Sequence, residues 1–418
     1  MEPILLNTID ITAAGGGKGL LGDVDGDGRM ELILVQGDSG IDDRYVPHQV
    51  TCVTVYRLDG TKLWQKGTPM EEPGKFGADF PAQVYDIDGD GKLEILCVMD
   101  QKFLILDGRS GEVKKCYDLP APQAHDCIII ANLSGKTYAS DIILKDRYFH
   151  MWALNSDWEL LWTHEGNLGH FPWVHDVNGD GYDEVMAGYD LLDHNGKILW
   201  SCKNLDDHAD CLWVGDVNGD GELEIAVGGS VTCLYDRNGK ELWRYEGSVE
   251  SQHIALGKFL PEKPGLQIAG LDRIRRGDGY KGQWDGKDGM FLIDCSGKEV
   301  WKEDRKTKGW LTIVDALYNW NGEGKDYILA YRRGGGVTPA LYDGNGNPVV
   351  SFPEEGYVLH GDLFGRGMED VIIYSDKKAW IYTGTPYDMM AEPSGKPIEQ
   401  TKRLWSSTLY PGGEYIRL

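Results

Sequence analysis

Long apolar runs, paired cysteines and surplus positive charge are all missing from this sequence, and each absence removes a class of protein. No apolar run reaches the roughly 18 residues of a membrane-spanning helix, so no membrane partner is expected. The opening MEPILLNTIDIT has no basic region followed by a long apolar stretch, so no export signal is read and a cytoplasmic location is expected, with a secreted protein trimmed of its signal as the alternative. The eight cysteines, at 52, 97, 116, 127, 202, 211, 233 and 295, form no CxxC pair, which argues against a zinc ribbon or a dense disulfide framework and for reduced thiols. Lys and Arg number 42 against 67 Asp and Glu, a net charge of −25. Phosphate backbones are bound by clustered cations, so nucleic acid is not an expected partner and inorganic cations are. No GxSxG elbow occurs, which disfavours a Ser-His-Asp hydrolase. No convincing helical periodicity separates the apolar runs.

What is present is a repeat. GDVDGDGRMEL (22–32) returns as YDIDGDGKLEI, HDVNGDGYDEV and GDVNGDGELEI, each an acidic turn between two short apolar runs. A second element follows it, LDGTKLW (58–64), LDHNGKILW (192–200), YDRNGKELW (235–243) and IDCSGKEVW (293–301), which reads as a hairpin between two further strands. Weaker copies of the acidic turn begin at Asn132, Lys258, Asn319 and Asp362, bringing the count to eight with Asp23, Asp86, Asp176 and Asp216. Eight such units at intervals of about forty-odd residues predict an all-β fold, an eight-bladed β-propeller of four-stranded antiparallel blades. The chain is read as one domain, 1–418, monomeric, with insertions near 36–50 and 272–289 and a tail at 385–418. Ring closure falls either to ILLNTIDIT (4–12) or to RLWSSTLY (403–410).

In the first acidic turn Asp23, Asp25 and Asp27 stand at alternate positions and Glu31 follows. Alternate side chains of a tight turn aim at one centre, glycine permits the bend, and hard oxygen donors at this density suit Ca²⁺. The matching sets are Asp86, Asp88, Asp90 and Glu94; Asp176, Asn178, Asp180 and Glu184; Asp216, Asn218, Asp220 and Glu224. An EF-hand is excluded, because its bidentate Glu comes at the twelfth position between helices. The pattern resembles the FG-GAP calcium loop of integrin-type propellers. The last copy has Phe364 and Arg366 where oxygens are needed. A site kept in some blades and lost in others reads as a structural staple, so several structural Ca²⁺ ions are expected.

Strands alternate direction, so the acidic turns define one face, and the approach to each inner strand lies on the other. Reading a few positions ahead of each motif places Lys18, Asp79, His125, His170, His208, His253, Trp310 and Tyr357 at the mouth of the central channel. Four of the ten histidines thus fall on consecutive blades, a set suited to proton transfer near neutral pH. The loops between second and third strands share that face and carry Arg147, Arg273, Arg275, Arg276, Arg332 and Arg333. Local positive charge in an acidic protein points to an anionic ligand, and guanidinium matches carboxylate; salt bridges to nearby Asp are the plainer alternative. Tyr148, Phe171, Trp173, Tyr280, Trp284, Trp310 and Tyr331 fall near the same rim and offer flat faces to sugar rings, whereas the hairpin tryptophans read as packing between blades.

The DxDGDG blades together with LDGTKLW, KDRY, NLGHFPWVHDVNGDG, DDHADCLWVGDVNGDG and SQHIALGKF resemble the propeller of the family 11 rhamnogalacturonan lyases, over most of the chain. Other His/Tyr/Arg-bearing propellers act on ulvan or rhamnosyl-glucuronate linkages. This chain is shorter than the family 11 enzymes and has its own loops on the histidine face. The resemblance implies β-elimination beside a uronic acid in an anionic oligo- or polysaccharide. It implies Arg273 and Arg332 on the carboxylate, His208 or His253 as base, and His170 or Tyr331 as acid, with His125, Asp79, Arg147, Tyr148, Trp173, Arg276, Trp284, Trp310 and Arg333 around the sugar. Two alternatives stand beside it: a glycoside hydrolase using a carboxylic acid pair from Asp79, Asp207 and Asp210, and a non-catalytic carbohydrate-binding propeller.

Overall fold

The computed structural model describes residues 1–418 except 39–47, 72–80, 207, 249, 273–288, 305–312, 333–335, 406–411 and 416–418. Eight sheets of antiparallel strands follow one another along the chain; seven are built on four consecutive strands that run from the centre outward, and the eighth on three consecutive strands completed by the N-terminal one. Their inner strands are Lys18–Gly22, Ala82–Tyr85, Cys127–Ala131, Trp173–His175, Cys211–Gly215, Ser251–Gly257, Ile313–Tyr318 and Tyr357–Gly361, numbered here as blades 1 to 8. The fold is the expected eight-bladed propeller.

Burial follows radius. Inner and second strands are covered on both faces by the neighbouring blades, so they read as unbroken apolar runs rather than alternating ones: CIIIA in blade 3 and EIAVG in blade 5 are buried throughout. Outermost strands such as Val113–Asp118 are largely exposed. The core is accordingly a series of seams. Leu20, Val35, Val53 and Val55 of blade 1 pack with Ala82, Val84, Ile95 and Cys97 of blade 2 in one of them.

The hairpin tryptophans lock these seams. Trp64, Trp162, Trp200, Trp243 and Trp301 each donate their indole N–H across to the hairpin of the next blade, onto the carbonyls of Gly108, His194, Arg237, Cys295 and Gly344 at 2.9–3.0 Å. Their role is packing, as the sequence suggested.

Of the two closures considered, the N-terminal one is realised. Ile4–Asp10 pairs antiparallel with Lys378–Thr383 as the outer strand of blade 8. The C-terminal tail instead enters the central channel. It crosses the first acidic turn, where the Ile398 N–H donates to Asp23 at 2.9 Å and the Gln400 amide donates to the Leu21 carbonyl at 3.1 Å. A short 3-10 turn, Lys402–Trp405, follows. Gly413–Tyr415 then pairs in parallel with Trp213–Gly215, on the channel side of blade 5's inner strand. The tail thus plugs the channel near the acidic turns and leaves the opposite mouth as the place for a site. All eight cysteines are free thiols, five of them buried.

Candidate active site

The acidic turns take one conformation in blades 1, 2, 4 and 5. In blade 4 Asp176 accepts the backbone N–H groups of Asp180 and Gly181 at 3.1 and 2.9 Å, while Glu184, eight residues on, reaches back to Val177 N–H at 3.0 Å. Gly181 sits at φ 92°, where a side chain would be strained. Carboxylate oxygens of Asp23, Asp25 and Asp27 come within 4.8 Å of one another. Burial and those three neighbours push the Glu31 carboxyl up to about 9. Glu184 and Glu224 are pushed up to about 7, burial again being the main cause. An all-oxygen set whose buried Glu resists ionisation alone fits a hard divalent cation such as Ca²⁺.

On the other face, the structure brings two of the four channel-mouth histidines together. Blade 4's approach segment folds onto blade 5 through Gly169, whose φ is 65° and whose missing Cβ would lie 2.4 Å from the Ala209 carbonyl. That close approach lets the His170 N–H reach the same carbonyl at 3.1 Å. His170 and His208 then face each other, Nε2 to Nε2, at 3.0 Å. Asp210 places one carboxylate oxygen 3.6 Å from each of those nitrogens. His170 and Asp210 are buried, whereas the His208 side chain is 22% exposed and is the pair's opening to solvent.

Blade 3 supplies the wall. Asp146 accepts the backbone N–H groups of Tyr148, Phe149 and His150 at 3.1, 2.7 and 2.9 Å, which fixes the loop of the KDRYF stretch. The Tyr148 ring then lies 5.7 Å from His170 and 5.5 Å from His208. Beneath it the buried Lys145 ammonium and Arg147 guanidinium share Asp126, at 2.6 and 3.1 Å. Arg147 also stands 5.3 Å from the Tyr148 ring centre.

Several expectations are corrected. Arg147 is 4% exposed and engaged with Asp126, so the salt-bridge alternative describes it better than a substrate contact. His253 is fully buried, because blade 6's inner strand begins at Ser251 and carries it inside the sheet, apart from the His170–His208 pair. Tyr331 packs in the core shared by blades 7 and 8, and Tyr148 takes its place as the tyrosine beside the histidines. Trp173 is 4% exposed and lines a small cavity inside the channel with Gln83, Phe171 and the tail's Lys402, rather than a rim. His125 is buried, its Nδ1 3.2 Å from the His48 carbonyl. Arg332 is half-buried just past blade 7's second strand. Asp79, Asp207, Arg273, Arg276, Trp284, Trp310 and Arg333 lie outside the described residues.

Asp210 was read from the sequence only as half of a hydrolase pair. The signal for its actual place was present in HAD (208–210), since alternate residues entering a strand share a side. Asp126 and Lys145 gave no such signal, because their pairing joins two strands of different motifs.

Fold and loops together define an eight-bladed propeller with FG-GAP-type acidic turns, and the FG-GAP-like repeat model matches residues 23–97. The particular proteins it resembles are rhamnogalacturonan lyases of Bacillus. Rhamnogalacturonan exolyase YesX of Bacillus subtilis (strain 168) is 22% identical over 93% of this chain and 75% of its own length. Rhamnogalacturonan endolyase YesW of the same organism is 26% identical over 43% of this chain, a stretch that is 38% of the endolyase. Among solved structures, the exotype lyase YesX superposes with a TM-score of 0.67 over 99% of this chain and 80% of that one, at 20% identity. The Bacillus licheniformis rhamnogalacturonan lyase PL11 gives 0.62 over 98% and 78%, at 18% identity.

Proposed function

We propose that this protein is a polysaccharide lyase that cleaves a uronate-containing glycan of the rhamnogalacturonan type by β-elimination, at the channel mouth walled by blades 3, 4 and 5. The observation that carries the reading is the His170–His208 pair at 3.0 Å, buried on one side and open on the other, beside Tyr148. The likeness to lyases named for rhamnogalacturonan, over nearly the whole chain, supports the substrate class.

Elimination removes the proton on C5, forms the C4=C5 double bond and expels the C4 oxygen, which needs a proton. The C5–H bond is weakly acidic until the adjacent carboxylate is neutralised. His208, the more open ring, takes that proton, and His170 holds its orientation through the Nε2 contact. Tyr148 returns a proton to the leaving oxygen, its ring set by Asp146 and Arg147. His170, His208 and Asp210 offer donor atoms within 4.8 Å of one another, a set that fits a divalent cation, which when bound would neutralise the uronate carboxylate and leave Tyr148 as the acid-base group.

We further propose that the acidic turns of blades 1, 4 and 5 hold structural Ca²⁺, through Asp23, Asp25, Asp27 and Glu31; Asp176, Asn178, Asp180 and Glu184; and Asp216, Asn218, Asp220 and Glu224.

Incubation with rhamnogalacturonan and uronate oligosaccharides tests the activity. New ultraviolet absorbance at the enoate band is the expected result. New reducing ends without absorbance would replace the lyase with a hydrolase.

A further inference from the structure

Blade 2 departs from its neighbours in two linked ways. Counting four residues on from the hairpin glycine reaches Trp64, Trp200, Trp243 and Trp301 in blades 1, 4, 5 and 6, but Lys115 in blade 2, where the glycine is Gly111. In the next hairpin Trp158 stands at the glycine position, with φ 66°. Its indole N–H donates backward to the Asp118 carbonyl of blade 2 at 2.7 Å, and its ring stacks on Tyr117 at 4.5 Å. The clasp between blades 2 and 3 is therefore reversed: the tryptophan comes from the following blade and stacks on Tyr117 of blade 2's outer strand, where Lys115 takes the usual tryptophan position.

The preceding position, three residues past the glycine, holds Leu63, Leu199 and Leu242 in blades 1, 4 and 5, but Lys114 in blade 2. Its ammonium enters its own blade's acidic turn, 2.7 Å from Asp88, 2.7 Å from Glu94 and 3.7 Å from Asp90. Those are three of the four carboxylates that a metal would need. The turns of blades 4 and 5 carry Asn178 and Asn218 where blade 2 has Asp88, and their described side chains include no such cation. Blade 1 differs again: among the described ion pairs Arg57 meets Asp25 alone of that turn's carboxylates. Degenerate turns elsewhere in the ring use the same device. In blade 8 the Arg366 guanidinium meets Asp370 at 2.6 Å, and in blade 6 the Lys258 ammonium donates to the carbonyl of Gly265 at 2.6 Å.

We propose that Lys114 is a tethered cation that occupies the second acidic turn, so that this turn keeps all four carboxylates yet takes no Ca²⁺ of its own while the turns of blades 1, 4 and 5 do. The inference rests on the calcium reading above and is independent of the lyase reading. Placing a fixed ammonium among the carboxylates relieves their repulsion without a free ion, and a divalent ion must first displace it.

Bound calcium per chain, counted by elemental analysis after equilibration and desalting, tests this in both directions. Lys114→Gln is expected to gain one ion over the wild type. Leu199→Lys, which puts an ammonium at the matching, 48% exposed position of blade 4, is expected to lose one. Lys115→Gln is the control and leaves the count unchanged. An unchanged count in both Lys114→Gln and Leu199→Lys overturns the proposal, as does calcium found in blade 2 of the wild type by anomalous scattering. Melting in excess chelator separates the two readings: Lys114→Gln should melt lower than the wild type there, whatever the other turns bind. If no variant binds calcium, the calcium reading falls, and the chelator difference alone decides whether Lys114 acts as the counter-ion.

Discussion

Arg403 of the C-terminal tail holds its guanidinium 2.6 Å from the Asp315 carboxylate on the inner strand of blade 7. His360 of blade 8 joins the pair, with Nε2 3.0 Å from Asp315 and Nδ1 2.9 Å from Glu369. Farther along the tail, Glu414 meets His175 of blade 4 at 2.8 Å and the Tyr415 hydroxyl donates to Asp326 at 2.8 Å. The plug is thus tied to separate blades by side chains, with Asp315 buried and Arg403 and Glu414 partly so. Removing one member of such a cluster strands the others, which costs about 3–5 kcal/mol. Arg403→Met should lower the calorimetric melting point sharply, and adding Asp315→Asn should recover part of the loss. An unchanged melting point in Arg403→Met would show that the tail does not brace the ring.

The same cluster sets a pH dependence. Burial pushes the Asp315 carboxyl up, but Arg403 and His360 outweigh it and hold the group well below its ordinary range; Glu369 is held low in the same way, mainly by His360. Depressed carboxyls contribute stability that is present above about pH 4 and is lost as pH falls through their folded values. His360 has the opposite sign. Burial and Arg403 pull it down, but Glu369 and Asp315 outweigh them and raise it above 6.5. Its contribution is complete below about pH 6.5 and fades as pH rises through the raised value. Melting points scanned against pH should therefore decline on both sides of a weakly acidic plateau. His360→Gln should flatten the alkaline arm, and an arm that persisted would assign it to another group.

At the channel mouth, His208→Ala and His170→Ala should each lower turnover by roughly 10²–10⁴-fold, the usual range for a lost acid-base group. Far-ultraviolet dichroism and melting of His208→Ala should stay near wild type, because that ring is partly open. His253→Ala, in contrast, should lower stability, since its side chain is wholly enclosed. Equal loss of turnover and fold in His208→Ala would make the pair a packing element.

Chelator should lower the melting point of the wild type, and added Ca²⁺ should restore it. Asp27→Ala, which removes one oxygen donor from the blade 1 turn, should weaken the response to Ca²⁺. Melting indifferent to both reagents would leave the acidic turns as solvated hairpins.

The seams give a test that needs no ligand. Gly196→Ala places a Cβ 2.6 Å from the Trp162 ring at φ 78°, so it should destabilise by about 1–3 kcal/mol, read from denaturant unfolding. Trp158→Gly should also destabilise, because there the ring comes from the hairpin itself.

The repeat by itself determined the blade number, the strand count and the face on which the acidic turns lie, because the units carry their own turn glycines and apolar runs, and five of them a hairpin tryptophan, at a regular interval. Such local signals need no knowledge of the rest of the chain. Tertiary structure alone decided which long-range partners those units acquire. It brought His170 to His208 across one seam while burying His253, and it paired Arg147 with Asp126. It sent Arg403 to Asp315 down the channel and turned Lys114 into the second acidic turn. The histidine pair and the tail contact follow from how blades and tail meet across the ring, and the two within single blades from which competing partner reaches a charge; neither leaves a periodic trace along the chain.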